Sequence, residues 1–234
     1  MDHGRMQPDE RVLIVPARGL VVLIGASGAG KTTFAGRHFA ATELLSSDRF
    51  RALVADDEAD QTATPAAFEL LGRVLDHRLR RGRLSVVDAT NVAARDRRGL
   101  LTLAARHGLP SVAIVFDLPE SLCQERNLRR AGRTVDPSVV QRHVEAVRQT
   151  LADPGRLAAE GFAAVHVLAD PAAIEGARIV RDPSLAVSIV RADAAVRGPC
   201  TDADPSTIRR SRRDDASRGD LSRPRRSGPP DRTV

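Results

Sequence analysis

The chain carries a single lysine against 35 arginines, no tryptophan, no tyrosine, two cysteines and two methionines in 234 residues. Each scarcity excludes something. With six phenylalanines as its only large aromatics, it offers few platforms for stacking nucleic-acid bases, and Phe50 and Phe68 stand as the candidates. Cys123 and Cys200 are too few for a disulfide scaffold and lack metal-ligand spacing. No apolar run reaches the roughly 18 residues that a membrane span needs, so no membrane partner is expected. The opening Met1-Asp2-His3-Gly4 lacks the basic segment and apolar stretch of a secretory signal. The expectation is a soluble cytoplasmic protein with one domain of ordinary size.

What is present starts with charge. The net charge is +6, and it divides evenly: residues 198–234 hold nine arginines and six aspartates, while residues 1–197 hold 27 basic and 24 acidic groups. The C-terminal stretch contains six hydrophobic residues among Gly, Pro, Ser, Asp and Arg, a composition that cannot bury enough apolar surface to fold alone. Its Arg209-Arg210-Ser211-Arg212-Arg213 segment suits phosphate contacts or simple solvation. Three regions are expected: an N-terminal extension over 1–10, a folded domain over 11–185, and a low-complexity, disordered tail over 186–234.

Short apolar runs alternate with longer helical patterns, the signature of an α/β sheet with crossover helices. Strands are predicted at Val21–Ile24, Glu43–Ser46, Leu84–Asp88, Ser111–Leu118 and Ala163–Leu168, with an edge strand Val12–Val15 stopped by Pro16. Helices are predicted between Pro65 and Gly82 with Phe68, Leu71, Val74, Leu75 and Leu79 inward, and from Val92 to His107. Others start near Pro119-Glu120, after Asp136-Pro137 with Val140, Val144, Val147 and Leu151 on one face, and over Ala172–Val180.

The sharpest signal is Gly25-Ala26-Ser27-Gly28-Ala29-Gly30-Lys31-Thr32, a complete G-x-x-x-x-G-K-[ST] Walker A loop set between an apolar strand and a helix containing Thr33. Glycines let consecutive backbone N–H groups curl around a phosphate at a helix N-terminus. Lys31 would reach the β- and γ-phosphates of ATP, and Thr32 would ligate Mg²⁺. The lone lysine thus falls where a compact ammonium is needed and the broad arginine fork does not fit.

A parallel sheet gathers its strand C-termini at one edge, which brings Asp48 and Asp88 beside that loop. Asp48 could take the proton of an acceptor hydroxyl, or cap a helix; Arg51, one turn on, could hold an anionic group of the acceptor, or be a surface charge. Asp88 could support Mg²⁺ through water or anchor Arg51, and also suits a helix start with Thr90 and Asn91. The acidic run Asp56-Asp57-Glu58-Ala59-Asp60 suits a solvated helix start rather than a metal site. Arg126 and Arg130, at i and i+4, would present two guanidiniums from a mobile lid to the transferring phosphate.

These residues together resemble the kinase module of the bacterial polynucleotide kinase-phosphatase family, related to the phage polynucleotide 5′-kinase. The matching stretches are Gly25 to Phe34, Ser46-Ser47-Asp48-Arg49-Phe50-Arg51, Asp57 to Gln61, Val87-Asp88-Ala89-Thr90-Asn91-Val92, Arg126 to Val135, and Glu160-Gly161-Phe162. The resemblance implies a P-loop NTPase kinase fold with a central parallel sheet of order 2-3-1-4-5 flanked by helices, and an arginine-bearing lid. It implies transfer of the γ-phosphate of ATP to a 5′-hydroxyl end of RNA or DNA. Lys31 and Thr32 would serve the phosphates and Mg²⁺, Asp48 would be the general base, and Arg51 would sit on the acceptor phosphate. Arg126, Arg130 and Arg133 would be lid arginines. Phosphatase or ligase partner proteins are implied as well. The phosphatase and nucleotidyl-transferase motifs of the multi-domain members have no counterpart here, so the expectation divides between a standalone kinase with a tail and a truncated or frame-altered product. Two other functions stay open: a P-loop kinase of a small-molecule acceptor, and a non-catalytic nucleotide-dependent binding protein.

Overall fold

The computed structural model describes residues 11–130 and 134–185, all within the unit Met1–Arg197. Arg133 and the stretch from 186 to 234, with Cys200 and the arginine-rich segment, lie outside the described residues. The described elements run β1 (Arg11–Pro16), β2 (Leu20–Gly25), α1 (Lys31–His38), β3 (Leu44–Ser46), α2 (Ser47–Ala55), a 3-10 turn (Gln61–Ala63) and α3 (Thr64–Arg80). They continue with β4 (Ser85–Asp88), α4 (Ala94–Arg106), β5 (Ser111–Phe116), α5 (Glu120–Leu128), α6 (Pro137–Leu151), α7 (Arg156–Glu160), β6 (Ala164–Leu168), α8 (Pro171–Glu175) and β7 (Ala177–Asp182).

Five strands form a wholly parallel sheet in the order β3-β4-β2-β5-β6, which is the expected 2-3-1-4-5 once β1 is set aside. The period of two in β2 explains why it is buried on both faces. Val21 and Leu23 face one core with Val112, Ile114, Phe116, Phe34 of α1 and Val140 and Val144 of α6. Leu20, Val22 and Ile24 face the other, packed by Leu71, Leu75 and Leu79 of α3 and by Leu100, Leu101 and Ala104 of α4. Truncating any of these leucines to alanine would cost about 2–5 kcal/mol through lost burial and the cavity left behind. Helices cover both sides, so the strands read as continuous apolar runs. No helix among the described residues is long and apolar enough to cross a membrane.

Two expectations need correcting. Ala172–Val180 is not one helix: a single turn, α8, ends at Gly176, and Ala177–Asp182 becomes β7. The β-branched pair Ile179-Val180 suits a strand, and β7 pairs in parallel with β1, so that the edge strand gains a partner and the two form a separate sheet. In α3, Phe68 and Val74 are partly exposed rather than inward; Ala67 takes the core position instead. The acidic run joins two helices: Asp56, at φ 56°, ends α2 in the left-handed region, and Asp60 supplies the expected helix start by capping the 3-10 turn that leads into α3, accepting from the Thr62 N–H at 2.8 Å. α7 had no sequence signal strong enough to mark its five residues.

Candidate active site

All five strands of the main sheet run the same way, so their C-terminal ends deliver Gly25, Ser46 and Asp88 to one edge, where a cleft of about 630 Å³ opens. That size lies within the usual range for a small-molecule site. Ser27, Gly28, Gly30, Lys31, Thr32 and Thr33 line it. The other loop residues shape it from behind: Ala26 and Ala29 are buried in the core, and a Cβ at Gly25 would lie 2.9 Å from Phe116. Gly28 adopts φ +81°, and a Cβ there would lie 2.1 Å from the Cys123 carbonyl oxygen, so the loop can rest on α5 only as glycine. Gly30, also in the left-handed region, starts α1 without a side-chain cap, leaving the helix N-terminus open toward the cleft.

Lys31 is 7% exposed, and its Nζ donates to the carbonyls of Gly25 at 2.9 Å and Ala26 at 2.8 Å. Burial pushes its pKa below the ordinary lysine value, with the Asp88 charge opposing that shift. The Thr32 hydroxyl donates to Asp88 Oδ2 at 2.8 Å. Asp88 is 5% exposed, and burial raises its carboxyl above the ordinary carboxylate value despite nearby Lys31. This donor set fits the groups the loop implies. A hydroxyl and a carboxylate are the hard oxygen ligands that Mg²⁺ takes alongside water and substrate phosphate, and a cation there would relieve the desolvated carboxylate. An anion in the loop would give the buried ammonium a stronger partner than two neutral carbonyls.

Opposite the loop, Ser46 caps α2, accepting from the Arg49 N–H, and Asp48 sits in the first turn. The two readings of Asp48 therefore separate: the cap is Ser46, and the Asp48 carboxylate lines the cleft. Arg51 is no surface charge. It is 3% exposed, with Nε donating to the Glu58 carbonyl at 2.8 Å and Nη2 paired with Asp48 Oδ1. Asp88 does not anchor it; Asp88 is bonded to Thr32, and the Arg51 partner carboxylate is Asp48.

From α5 and its C-terminal end, two guanidiniums reach the same cleft. Arg130 Nη2 donates to Asp48 Oδ2 at 2.9 Å, across 82 residues of chain, and lies 3.6 Å from Glu58 Oε1. The Arg126 guanidinium lies 3.5 Å from where a Cβ would stand at Gly30. α5 ends at Leu128, so the two arginines do not share one helical face as the i, i+4 spacing predicts: Arg126 stands on the helix over the loop, and Arg130 reaches Asp48 from beyond its end. Lys31, Thr32, Asp48, Arg51, Asp88, Arg126 and Arg130 all line one cleft.

Sequence reasoning missed Thr64, Val139 and His143 on the cleft wall. Val139 and His143 are i, i+4 neighbours on α6, a face adjacent to the buried Val140-Val144 stripe, which was a readable signal. Of the aromatic candidates, Phe68 lines the cleft at 37% exposure, whereas Phe50 packs against the second core.

A family model described as an AAA domain matches residues 20–154. Among solved structures, a chain of the Pnkp1/Rnl/Hen1 RNA repair complex is 22% identical, with a TM-score of 0.51 over 59% of this chain and 46% of that one. This chain therefore spans less than half the length of that relative. The PezAT chromosomal toxin-antitoxin system of Streptococcus pneumoniae aligns at 16% identity and TM-score 0.50, over 70% of this chain and 72% of that one. Shikimate kinase from Acinetobacter baumannii aligns at 19% identity and TM-score 0.41, over 76% and 94%. No curated protein matches. At these identities the likeness concerns the fold, an α/β fold with a central parallel sheet of the P-loop kinase type.

Proposed function

The chain belongs to the AAA domain family, and from that premise we propose that it transfers the γ-phosphate of ATP to a 5′-hydroxyl end of RNA or DNA. The observation that carries the reading is the meeting of two half-sites in one cleft: a phosphate loop on one wall, and Asp48 held between Arg51 and Arg130 on the other. In this reading the loop N–H groups and Lys31 Nζ hold the β- and γ-phosphates. Thr32 and Asp88 would hold Mg²⁺, which would neutralise charge on the phosphate oxygens. An Asp48 carboxylate oxygen takes the proton of the acceptor hydroxyl while the hydroxyl oxygen bonds to the γ-phosphorus and the bond from the γ-phosphorus to the β-phosphate oxygen breaks, releasing ADP. Arg126 and Arg130 turn onto the transferring group, stabilising its charge. Arg51 faces the phosphate on the 3′ side of the acceptor's terminal nucleotide, and Phe68 offers a ring to its base.

Support for a polynucleotide acceptor comes from the set Ser46-Ser47-Asp48-x-x-Arg51, Asp88-Ala89-Thr90-Asn91 and the lid arginines, whose combination resembles the polynucleotide kinase module. A soluble folded unit over 11–185 with phosphatase or ligase partners belongs to the same proposal. The test offers labelled ATP together with 5′-hydroxyl RNA, 5′-hydroxyl DNA, nucleosides and sugars. Labelled oligonucleotide ends are expected; label confined to the small molecules would overturn the acceptor assignment and leave the kinase chemistry standing.

A further inference from the structure

The largest fully buried side chain in the described residues is an arginine, Arg97, at 0% exposure. It lies in the first turns of α4, outside the cleft lining, and four of its hydrogen bonds are resolved. Nε and Nη2 grip the Glu160 carboxylate of α7 at 2.7 and 2.6 Å. Nη1 donates to two consecutive carbonyls, Asn91 at 2.9 Å and Val92 at 2.8 Å. A buried guanidinium is tolerated only when its donors are met, and an aliphatic side chain would fill the same volume without that requirement. What the arginine does that an aliphatic residue cannot is gather those two carbonyls onto one nitrogen.

That gathering shapes the segment between the candidate metal carboxylate and the phosphate loop. Successive carbonyls in an extended chain point apart; here they converge, and Asn91 adopts φ 48°. In that conformation its Nδ2 donates to the Leu23 carbonyl at 2.8 Å, two residues before the loop begins. One residue earlier, the Thr90 carbonyl accepts from the Gly25 N–H at 3.0 Å. Two residues before that stands Asp88, bonded to Thr32. Glu160 itself is fixed by the chain turn that follows it: Gly161, at φ +113°, ends α7 and drops Phe162 into the second core. This accounts for Glu160-Gly161-Phe162, a stretch that the proposed chemistry leaves without a role.

We propose that Arg97, clamped by Glu160, is a positioning residue that sets Asp88 and the 89–92 segment against the phosphate loop, and so tunes the Mg²⁺ requirement of nucleotide binding from outside the cleft. The proposal rests on reading Gly25–Thr32 as a phosphate cradle. Outer partners that orient the groups around a metal typically change its affinity about 10–100-fold when altered. Three full-length variants test it: Arg97→Lys, which keeps the charge and loses the fork; Glu160→Gln, which keeps the shape and weakens the clamp; and Leu157→Ala, a core truncation in the same helix as Glu160. A fluorescent ATP analogue is titrated over Mg²⁺ concentrations and in EDTA, and Tm is measured alongside. Arg97→Lys and Glu160→Gln are expected to raise the Mg²⁺ concentration for half-maximal binding about tenfold, with binding in EDTA unchanged. Leu157→Ala is expected to lower Tm with the Mg²⁺ requirement unmoved. A requirement unshifted in both clamp variants, while wild type binds nucleotide, overturns the positioning role alone. Absence of nucleotide binding by the wild type overturns the cradle reading, and this proposal with it. If Arg97→Lys does not fold, Glu160→Gln decides by the same readout.

Discussion

The two walls of the cleft are built in different ways. The phosphate-loop wall is mostly backbone: glycines at positive φ, a helix N-terminus, a lysine bonded to carbonyls, and close packing of Gly25 on Phe116 and of Gly28 on Cys123. The opposite wall is mostly side chain: Arg51 and Arg130 reach Asp48 from two different helical regions, and Glu58 attends from a turn. A backbone-built wall has its shape before any ligand arrives. A wall of arginine forks is built from salt bridges that a ligand can compete for, and in the proposed reaction Arg130, with its side chain 36% exposed, would leave Asp48 for a phosphate. Damage to the first wall should therefore cost binding and transfer together; damage to the second should cost transfer alone.

The largest effect is expected at Lys31. Lys31→Met removes the one ammonium in the backbone wall, and transfer is expected to fall by about 10³-fold, with ATP binding weakened in the same titration. Intact ATP affinity in that variant would erase the distinction between the walls. Arg130→Ala comes next, with transfer lower by about 10²-fold and nucleotide affinity unchanged, as steady-state rates and equilibrium binding on one preparation would reveal.

Asp88 sharpens the comparison through pH. Its carboxyl is raised by burial, so between the ordinary carboxylate value and the raised one the folded chain binds the extra proton. In that window the Asp88 contribution to metal-free stability falls as pH rises. Mg²⁺-dependent nucleotide binding needs the ionised form and is lost as pH falls through the raised value, earlier than for an ordinary carboxylate. Thermal melts and binding titrations over this range, compared with Asp88→Asn, should lose both dependences; identical pH profiles for the two proteins would contradict the assignment. The smallest effect is expected from removing residues 198–234. Among the described residues, every one that lines the cleft falls between Ser27 and His143, so transfer by the shortened chain should match that of the full chain.

The same division explains what the sequence made legible. The backbone wall is encoded locally, because eight consecutive residues specify the loop and its neighbours are the two elements that flank it; Gly28 and Lys31 could be placed by inspection. The strand order followed from resemblance, and the alternation Leu20-Val21-Val22-Leu23-Ile24 follows from a sheet covered on both faces. The side-chain wall depends on which long arginine pairs with which carboxylate across 82 residues, and no periodicity encodes that. Hence Asp48, Arg51 and Arg130 were identifiable as residues, while the anchor of Arg51, expected as an alternative at Asp88, is Asp48. Arg97 was invisible for a further reason. Among 35 arginines a buried one has no compositional mark, and its partner lies 63 residues away. β7 was missed because only Gly176 separates it from α8, so that one window covered both.

The most direct test is Asp48→Asn, measured on one preparation for both ATP binding and phosphorylation of a 5′-hydroxyl oligonucleotide. The change keeps the shape and removes the proton acceptor without touching the loop. Unchanged ATP affinity with transfer lower by about 10²–10⁴-fold is expected. Transfer at the wild-type rate, or ATP affinity lost in step with transfer, would contradict the account.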